Sequence, residues 1–189
     1  MKVLMLALAL LGPIERLDWT TARAVQSWRS AALEAPMRNV TSVARAPLVV
    51  AGLAAVLAVD LAAGAGWGTV RLAVVAVAGT NLIVEGLKRA VNRTRPDGER
   101  KRSNSSFPSG HSATAFALAW VLAARWRRAS VVFFGLAALV AFSRMYLHRH
   151  FLSDVVAGAV IGMATAWVAV RWLPAAPPRA RGTAEQRGT

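Results

Sequence analysis

Residues 46–66 read APLVVAGLAAVLAVDLAAGAG, a run of 21 residues with a single charge, Asp60. A transmembrane helix needs roughly 20 mostly apolar residues, so this run predicts a membrane span. Four further blocks meet the requirement if the polar residues near their ends lie at the membrane surface: residues 67–91, 108–126, 129–147 and 151–172. A soluble protein of this length has too little remaining chain to cover five such helices. The pattern predicts an all-α integral-membrane bundle with five to six transmembrane helices.

The N-terminal region predicts an amphipathic helix. Residues 1–11 carry one lysine and a short apolar run, so we expect a partly inserted first helix. Between residues 14 and 32, apolar residues recur at spacings of three and four, and Asp18 is placed to cap a helix start at Trp19. This helix either lies among lipid headgroups or packs on the bundle through its apolar face. The apolar stripe consists of Ile14, Leu17, Val25, Trp28 and Ala32.

The blocks and their connections predict one domain. Residues 1–173 form a membrane-embedded domain in this interpretation, with a polar connection bracketed by Pro36 and Pro47. Residues 174–189, rich in proline and arginine, predict a disordered basic tail. The chain has no cysteine, which excludes disulfides and thiolate chemistry.

The net charge of +14 is compatible with nucleic-acid binding, but the placement of the charges favours a membrane. The basic residues lie mostly at the ends of the apolar blocks, where they would meet lipid headgroups or an anionic substrate. We therefore expect the bilayer and a lipid substrate as partners, and no nucleic acid. The sequence carries no signal of an oligomeric state.

Threading the spans alternately through the membrane brings the unusual polar residues to one face. The chain ends near Lys88, Pro108, Leu147 and Phe151 emerge there, whereas the arginine-rich turn at 125–128 and the tail emerge on the other side. The positive-inside rule places that turn in the cytoplasm, and therefore the polar face outside a bacterial inner membrane. Of the acidic residues in the spans, Asp60 and Glu85 are expected to be interfacial or paired within the bundle. Glu85 lies three residues before Lys88 and is placed to hold it.

Three polar segments on this face carry residues suited to binding a phosphate. Ser109, Gly110 and His111 open a predicted helix, whose free N–H groups and positive dipole end favour an anion. Gly110 also removes the side chain that would keep phosphate from the backbone. The cations of the set are Lys88, Arg95 and Arg144, of which the two arginines can each offer paired donors to phosphate oxygens.

The remaining residues of the set are suited to nucleophilic catalysis. His150 and Asp154 are four residues apart, hence on one face of a helix. A carboxylate on one ring nitrogen fixes the tautomer and leaves the other nitrogen free to attack phosphorus. His111 supplies the second imidazole, which a leaving alkoxide needs as general acid. His148 is interpreted as an interfacial residue and not as a third catalytic imidazole.

Together these segments resemble the signature of the type 2 phosphatidic-acid phosphatase superfamily, which also includes vanadium haloperoxidases. The pattern is Lys-x6-Arg-Pro, Pro-Ser-Gly-His and Ser-Arg-x5-His-x3-Asp, and the chain matches every fixed position. The matching residues are Lys88, Arg95, Pro96, Pro108, Ser109, Gly110, His111, Ser143, Arg144, His150 and Asp154. The resemblance implies attack by His150, a phosphohistidine intermediate, and no metal ion or other cofactor. Three fixed cations take the place of Mg²⁺ in this interpretation.

The chain departs from the family pattern around its nucleophile. Members often have glycine two residues before that histidine and proline two after it, where this chain has His148 and Leu152. The link from Pro96 to Pro108 is 11 residues, at the short end for the family, and leaves little room for a lid.

The resemblance predicts hydrolysis of a lipid phosphate monoester or pyrophosphate. Undecaprenyl pyrophosphate, phosphatidylglycerol phosphate, phosphatidic acid and a lipid A phosphate all fit a site at the lipid boundary. The basic residues Arg100, Lys101 and Arg102 either favour a second phosphate or form a solvated loop. The alternatives are a phosphotransferase, a non-catalytic lipid-phosphate binder and a vanadium haloperoxidase. The membrane spans argue against the last of these, because the haloperoxidases are soluble and much longer.

Overall fold

The computed structural model describes the backbone of residues 2–99 and 105–173, and the side chains of residues 12–99 and 105–173. In these ranges the chain forms seven α-helices, one turn of 3₁₀ helix at Arg127–Ala129, and no strand. The helices are α1 (Lys2–Ser27), α2 (Ala31–Ser42), α3 (Ala46–Ala62), α4 (Gly68–Val91), α5 (Gly110–Arg125), α6 (Ser130–Tyr146) and α7 (Leu152–Trp172). The predicted tail at 174–189 and the basic residues 100–102 lie outside the described residues.

The all-α membrane bundle is confirmed. By length and composition, three described helices can cross a membrane, namely α4, α6 with its preceding turn, and α7. A fourth span is added if α2 and α3, which meet at a bend of 59°, are counted as one. The central helix α5 has only 16 residues, a rise of about 24 Å, because Pro108 and Ser109 form the connection before it and not its first turn. Whether residues 1–12 span the membrane stays a prediction.

Helix α5 lies at the centre of the bundle and packs against α4, α6 and α7. Its contact with α7 is so close that Gly158 and Gly162 lie directly against the α5 backbone. Small side chains permit this approach, as is usual between helices in a membrane. The buried core accordingly consists mostly of alanines: Ala73, Ala76, Ala117, Val121, Ala166 and Ala169. The fold thus fixes the first turns of α5 and α7 against each other.

The N-terminal helix is confirmed, but its packed face differs from the predicted one. Helix α1 contacts α6 and α7 through Asp18, Ala22 and Val25, which are buried. The predicted stripe contributes only Val25 to that face, and its other large members are exposed. The prediction that Asp18 caps a helix start is wrong, because Asp18 lies in the interior of α1 and its carboxylate accepts hydrogen bonds from another part of the chain.

The segment before the first predicted span also contains more helix than the sequence predicted. The polar connection bracketed by two prolines is largely the helix α2, which contains Pro36 and packs on α6. Pro47 lies in the first turn of α3, where a missing N–H breaks no helical hydrogen bond. Helix α4 ends at Val91, and Asn92 after it has a left-handed φ of +44°, a conformation that asparagine tolerates at a helix end.

The predicted pairing of the acidic residues is confirmed. The Asp60 carboxylate is buried and accepts a hydrogen bond from Nε of Arg125 at 3.0 Å. Lys88 Nζ lies 3.2 Å from Glu85 Oε1, one turn earlier on α4. The first pair is at the end of the bundle that carries the arginine-rich turn, and the second is at the end with the predicted site.

Candidate active site

The three motif segments meet where α5 and α7 begin. The backbone N–H of Ser109, before α5, donates to the carbonyl of Asp154 in the first turn of α7 at 3.0 Å. The loop after α4 brings Arg95 to the same end of the bundle, and Lys88 lies one turn before the end of α4. The prediction from threading, that these polar segments share one face, is therefore confirmed.

His150 lies in the short connection between α6 and α7 and is 4% exposed. Its Nδ1 is 2.8 Å from the carbonyl oxygen of Ser106 and 3.8 Å from Oδ2 of Asp154. The nearest acceptor of the ring proton is thus a backbone carbonyl and not the carboxylate that the sequence suggested. Because Nδ1–H donates to this carbonyl, the tautomer is fixed and Nε2 keeps its lone pair.

The Asp154 carboxylate is fully buried and accepts three hydrogen bonds. Oδ1 accepts from Arg93 at 2.7 Å, and Oδ2 accepts from the Ser106 hydroxyl at 2.5 Å and from the Phe151 backbone N–H at 2.8 Å. The last of these also satisfies a free N–H at the start of α7. Asp154 therefore provides a fixed negative charge 3.8 Å from Nδ1 of His150.

Burial lowers the pKa of His150 from 6.5 to about 4. Desolvation, which penalises the charged ring, is the largest cause; the Asp154 carboxylate opposes it, and the positive charges of Arg144 and Arg95 reinforce it. A lowered pKa means that the ring loses its proton at a more acidic pH than usual. The neutral form, the only one able to attack, is therefore present from neutral pH down to about pH 4.

The lowered pKa of His150 can be measured by titrating its ring. In ¹⁵N-histidine NMR of the detergent-purified protein, which has three histidines, we expect the resonance missing from His150→Ala to titrate near pH 4. The ring resists protonation because its charged form would be buried among cations. A midpoint near 6.5 would contradict the buried, Nδ1-bonded geometry.

Arg144 and Arg95 are both buried cations near the His150 ring. Nη1 of Arg144 donates to the Thr41 hydroxyl of α2 at 2.9 Å, whereas its Nε is buried without a partner among the described residues. Burial, and then the charge of Arg149, lower the pKa of Arg95, although an arginine stays charged at any ordinary pH. Such a set of buried positive charges favours binding of an anion.

The segment Ser109–Gly110–His111 opens α5 as predicted. The Ser109 side chain caps the helix by accepting from the N–H of Ser112, at a long 3.5 Å. A methyl group added at Gly110 would lie 3.8 Å from Nζ of Lys88, so the helix start and the lysine are neighbours. Nε2 of His111 is buried and has no hydrogen-bond partner in the described part of the chain. An unsatisfied imidazole nitrogen in this position is suited to a substrate oxygen.

A polar cavity of about 710 Å³ adjoins these residues. His111 and Arg144 line it together with several arginines outside the motif, Arg29, Arg38, Arg45 and Arg149. His148 also lines it and is half-buried. Its interpretation as an interfacial residue stays a prediction. Its φ of +58° lies in the left-handed region, which glycine adopts without strain. This explains why the family that the sequence resembles often has glycine at this position.

An apolar groove of about 580 Å³ joins the polar cavity, and Arg45 and His111 line both. It runs between α3 and α4 and is lined by aliphatic side chains such as Val50, Leu53 and Val77. A molecule with an anionic headgroup and an apolar chain would match the two spaces together.

Sequence reasoning missed four residues of the site: Asp18, Thr41, Arg93 and Ser106. Each reaches the motif from a distant or irregular part of the chain, so no spacing rule points to it. The one available signal was the charge of Asp18, which with Glu15 is one of two acidic residues on α1.

The chain is similar to one known family and to several known proteins. The model of the PAP2 superfamily matches residues 69–178, more than half of the chain. A lipid A 1-phosphatase of Porphyromonas gingivalis is 39% identical over 80 residues, 40% of this chain and 17% of that protein. One of Rhizobium etli is 33% identical over 95 residues, 44% of this chain and 41% of that protein. The matches thus span less than half the length of these relatives.

Two solved structures share the fold. Aquifex aeolicus LpxE superposes with a TM-score of 0.72 at 23% identity, covering 82% of this chain and 96% of that one. A transmembrane PAP2 type phosphatidylglycerolphosphate phosphatase from Bacillus subtilis gives 0.74 at 23% identity, covering 89% and 90%. Both similarities cover most of each chain, and so extend beyond the residues that match the family model.

Proposed function

Because this chain belongs to the PAP2 superfamily, we propose that it is a membrane phosphatase that hydrolyses a lipid phosphate monoester or pyrophosphate. The observation that carries the proposal is the state of His150. Its Nδ1 donates to the Ser106 carbonyl, which leaves Nε2 as a nucleophile, and the buried cations Arg95 and Arg144 are near enough to lower the pKa of the ring. A binding protein would gain nothing from a histidine held in this tautomer.

In the first step, Nε2 of His150 attacks phosphorus in line with the lipid oxygen. The N–P bond forms as the P–O bond to the lipid breaks, and the lipid oxygen takes a proton from His111. The ring becomes positively charged at this stage, and the Asp154 carboxylate 3.8 Å from Nδ1 stabilises that charge. Binding of the phosphate dianion beside His111 favours the protonated imidazole that the step requires.

In the second step, water attacks phosphorus and gives a proton to His111. The P–N bond breaks, so His150 returns to its neutral form and inorganic phosphate leaves. Lys88, Arg95 and Arg144, with the start of α5, stabilise the equatorial oxygens in both steps. Because fixed cations already supply this charge, the proposed chemistry routes no step through a metal ion.

The combination of polar cavity and apolar groove supports a lipid as substrate. The headgroup would lie in the cavity with its scissile phosphate against His111 and Arg144, on the side toward His150, and the acyl or prenyl chain would follow the aliphatic groove. The similarity to proteins named lipid A 1-phosphatase and phosphatidylglycerolphosphate phosphatase places these two substrates first for testing. The arginine-rich turn at the opposite end supports a site at the outer face of the inner membrane.

The test is release of inorganic phosphate by the detergent-purified protein in excess EDTA. The panel contains a lipid A phosphate, phosphatidylglycerol phosphate, phosphatidic acid and undecaprenyl pyrophosphate, with a water-soluble phosphate ester as the non-lipid control. We expect release from at least one lipid, undiminished by EDTA and inhibited by vanadate. A parallel assay in right-side-out and inverted vesicles should favour substrate supplied at the outer face.

Four outcomes would contradict the proposal. Absence of release from every lipid would overturn hydrolysis, loss of activity in EDTA would overturn the metal-free mechanism, and activation of a peroxidase by vanadate would indicate the haloperoxidase chemistry of this superfamily. Appearance of the phosphate on an added alcohol, without free phosphate, would indicate transfer.

A further inference from the structure

Asp18 is a buried carboxylate on a helix whose neighbouring residues are exposed. It is 1% exposed and lies outside residues 69–178, which match the family model. Oδ1 accepts from the Ser153 backbone N–H at 2.8 Å, and Oδ2 accepts from the Ser153 hydroxyl at 2.5 Å and from Arg93 at 2.7 Å. A carboxylate held by three donors at a packed interface is fixed in place and supplies a charge that burial alone would disfavour.

The partner that links Asp18 to the catalytic residues is Arg93. One Nη of its guanidinium donates to Asp18, and the other donates both to Oδ1 of Asp154 and to the Ser153 hydroxyl, each at 2.7 Å. Its guanidinium carbon lies 4.4 Å from the centre of the Phe151 ring. Arg93 therefore connects two buried carboxylates that belong to α1 and α7.

The backbone of Arg93 is hydrogen-bonded to Ser105 and Ser106, the segment that contacts His150. Its N–H donates to the Ser105 hydroxyl at 2.8 Å, and its carbonyl accepts from the N–H of Ser106 at 2.9 Å. Ser106 in turn supplies the carbonyl for His150 Nδ1 and the hydroxyl for Asp154. A displacement of Arg93 would therefore alter the surroundings of His150 in two ways, through its side chain, which binds Asp154, and through its backbone, which binds Ser106.

We propose that Asp18 acts through Arg93 as a positioning residue that holds Asp154 and, with it, the His150 ring. The Asp18 charge holds the Arg93 guanidinium between the two carboxylates. The guanidinium in turn holds the Asp154 carboxylate 3.8 Å from Nδ1 of His150. This inference rests on the proposed function for its kinetic consequence, but its geometric consequence is independent of catalysis.

The test is Asp18→Asn, a change of nearly equal size that removes the charge. We expect kcat to fall about tenfold or more with KM within a factor of about two, because substrate binding groups are untouched. The matched control is Asp60→Asn, which unpairs the other buried carboxylate at the opposite end of the bundle. That control should lose comparable thermal stability while keeping its kcat.

A double-mutant cycle separates positioning from general destabilisation. In an Asp154→Asn background, the further change Asp18→Asn should have little additional effect on kcat, because the residue through which it acts is already altered. Multiplicative effects of the two changes would overturn the proposal, as would full activity of Asp18→Asn. If Asp18→Asn does not fold, Arg93→Lys serves instead, since lysine keeps the charge but cannot bridge two carboxylates with a fork.

Histidine NMR gives a readout that does not need activity. The Nδ1–H resonance of His150 should shift or broaden in Asp18→Asn and remain as in the wild type in Asp60→Asn. If the wild type releases no phosphate but this resonance responds, the proposed function fails and the positioning inference stands. An unchanged resonance in Asp18→Asn would overturn the inference whatever the activity of the wild type.

Discussion

His150→Ala should reduce phosphate release by at least about 10³-fold, because it removes the atom that forms the bond to phosphorus. The protein should still fold, since the ring makes one hydrogen bond, to the Ser106 carbonyl, and its loss opens a small space in a connection rather than in a helix. The measurement is the rate of phosphate release from the best lipid of the panel, alongside thermal unfolding in detergent.

The neighbouring imidazole provides the control for this variant. His148→Ala removes a histidine two residues away that lines the polar cavity with His111 but has no part in the proposed bond changes. It should keep most of its activity. If the two variants were equally impaired, or if His150→Ala turned over at the wild-type rate, the nucleophile assignment would be wrong.

The second large effect is expected at the contact between α5 and α7. A Cβ atom added at Gly162 would overlap the Ala113 carbonyl group of α5, with its carbonyl carbon only 2.9 Å away. Backbone cannot move aside as a flexible side chain can, so α7 must shift. We expect Gly162→Ala to lower the free energy of unfolding by about 2–3 kcal/mol, the upper part of the usual range for overpacking.

Activity should fall along with stability in Gly162→Ala. The same helix pair holds Ser109, just before α5, against the first turn of α7, where its N–H donates to the Asp154 carbonyl. A shift of α7 therefore moves Asp154 and the adjoining His150 away from His111. The control is Gly135→Ala on α6, where the added methyl group meets no atom within 4 Å. Alanine is the better helix former, so this control should be neutral or slightly stabilising. Equal unfolding temperatures for the two variants would contradict the close packing.

The sequence was sufficient for the positions of the helices and for the motif, although by length and composition only three or four described spans can cross a membrane, against five to six predicted. Long apolar blocks are a strong signal because a lipid environment demands satisfied backbone groups, and the helices from α3 onwards lie within the predicted ranges. Motif residues were also brought together as expected, since an even number of crossings returns the chain to the same face. The roles of these residues remain predictions until the variants are measured.

Local rules failed where long-range contacts decide the structure. Asp18 has the residue type and spacing of a helix cap, but a salt bridge to Arg93 and burial against α7 hold it in the interior of α1. Likewise, the four-residue spacing of His150 and Asp154 suggested a direct hydrogen bond. His150, however, precedes α7 and is not on its face, so its ring proton meets the Ser106 carbonyl first. Neither contact has a periodic signature in the sequence.

The most direct test of His150 as the nucleophile is to trap the covalent intermediate. Purified protein is mixed with a lipid substrate labelled with ³²P in its scissile phosphate, quenched in alkali within the first turnover, and digested for mapping. We expect label that is stable in alkali, labile in acid and located at His150, and absent from His150→Ala. Rapid phosphate release without any protein-bound label, or label on another residue, would contradict His150 as the nucleophile.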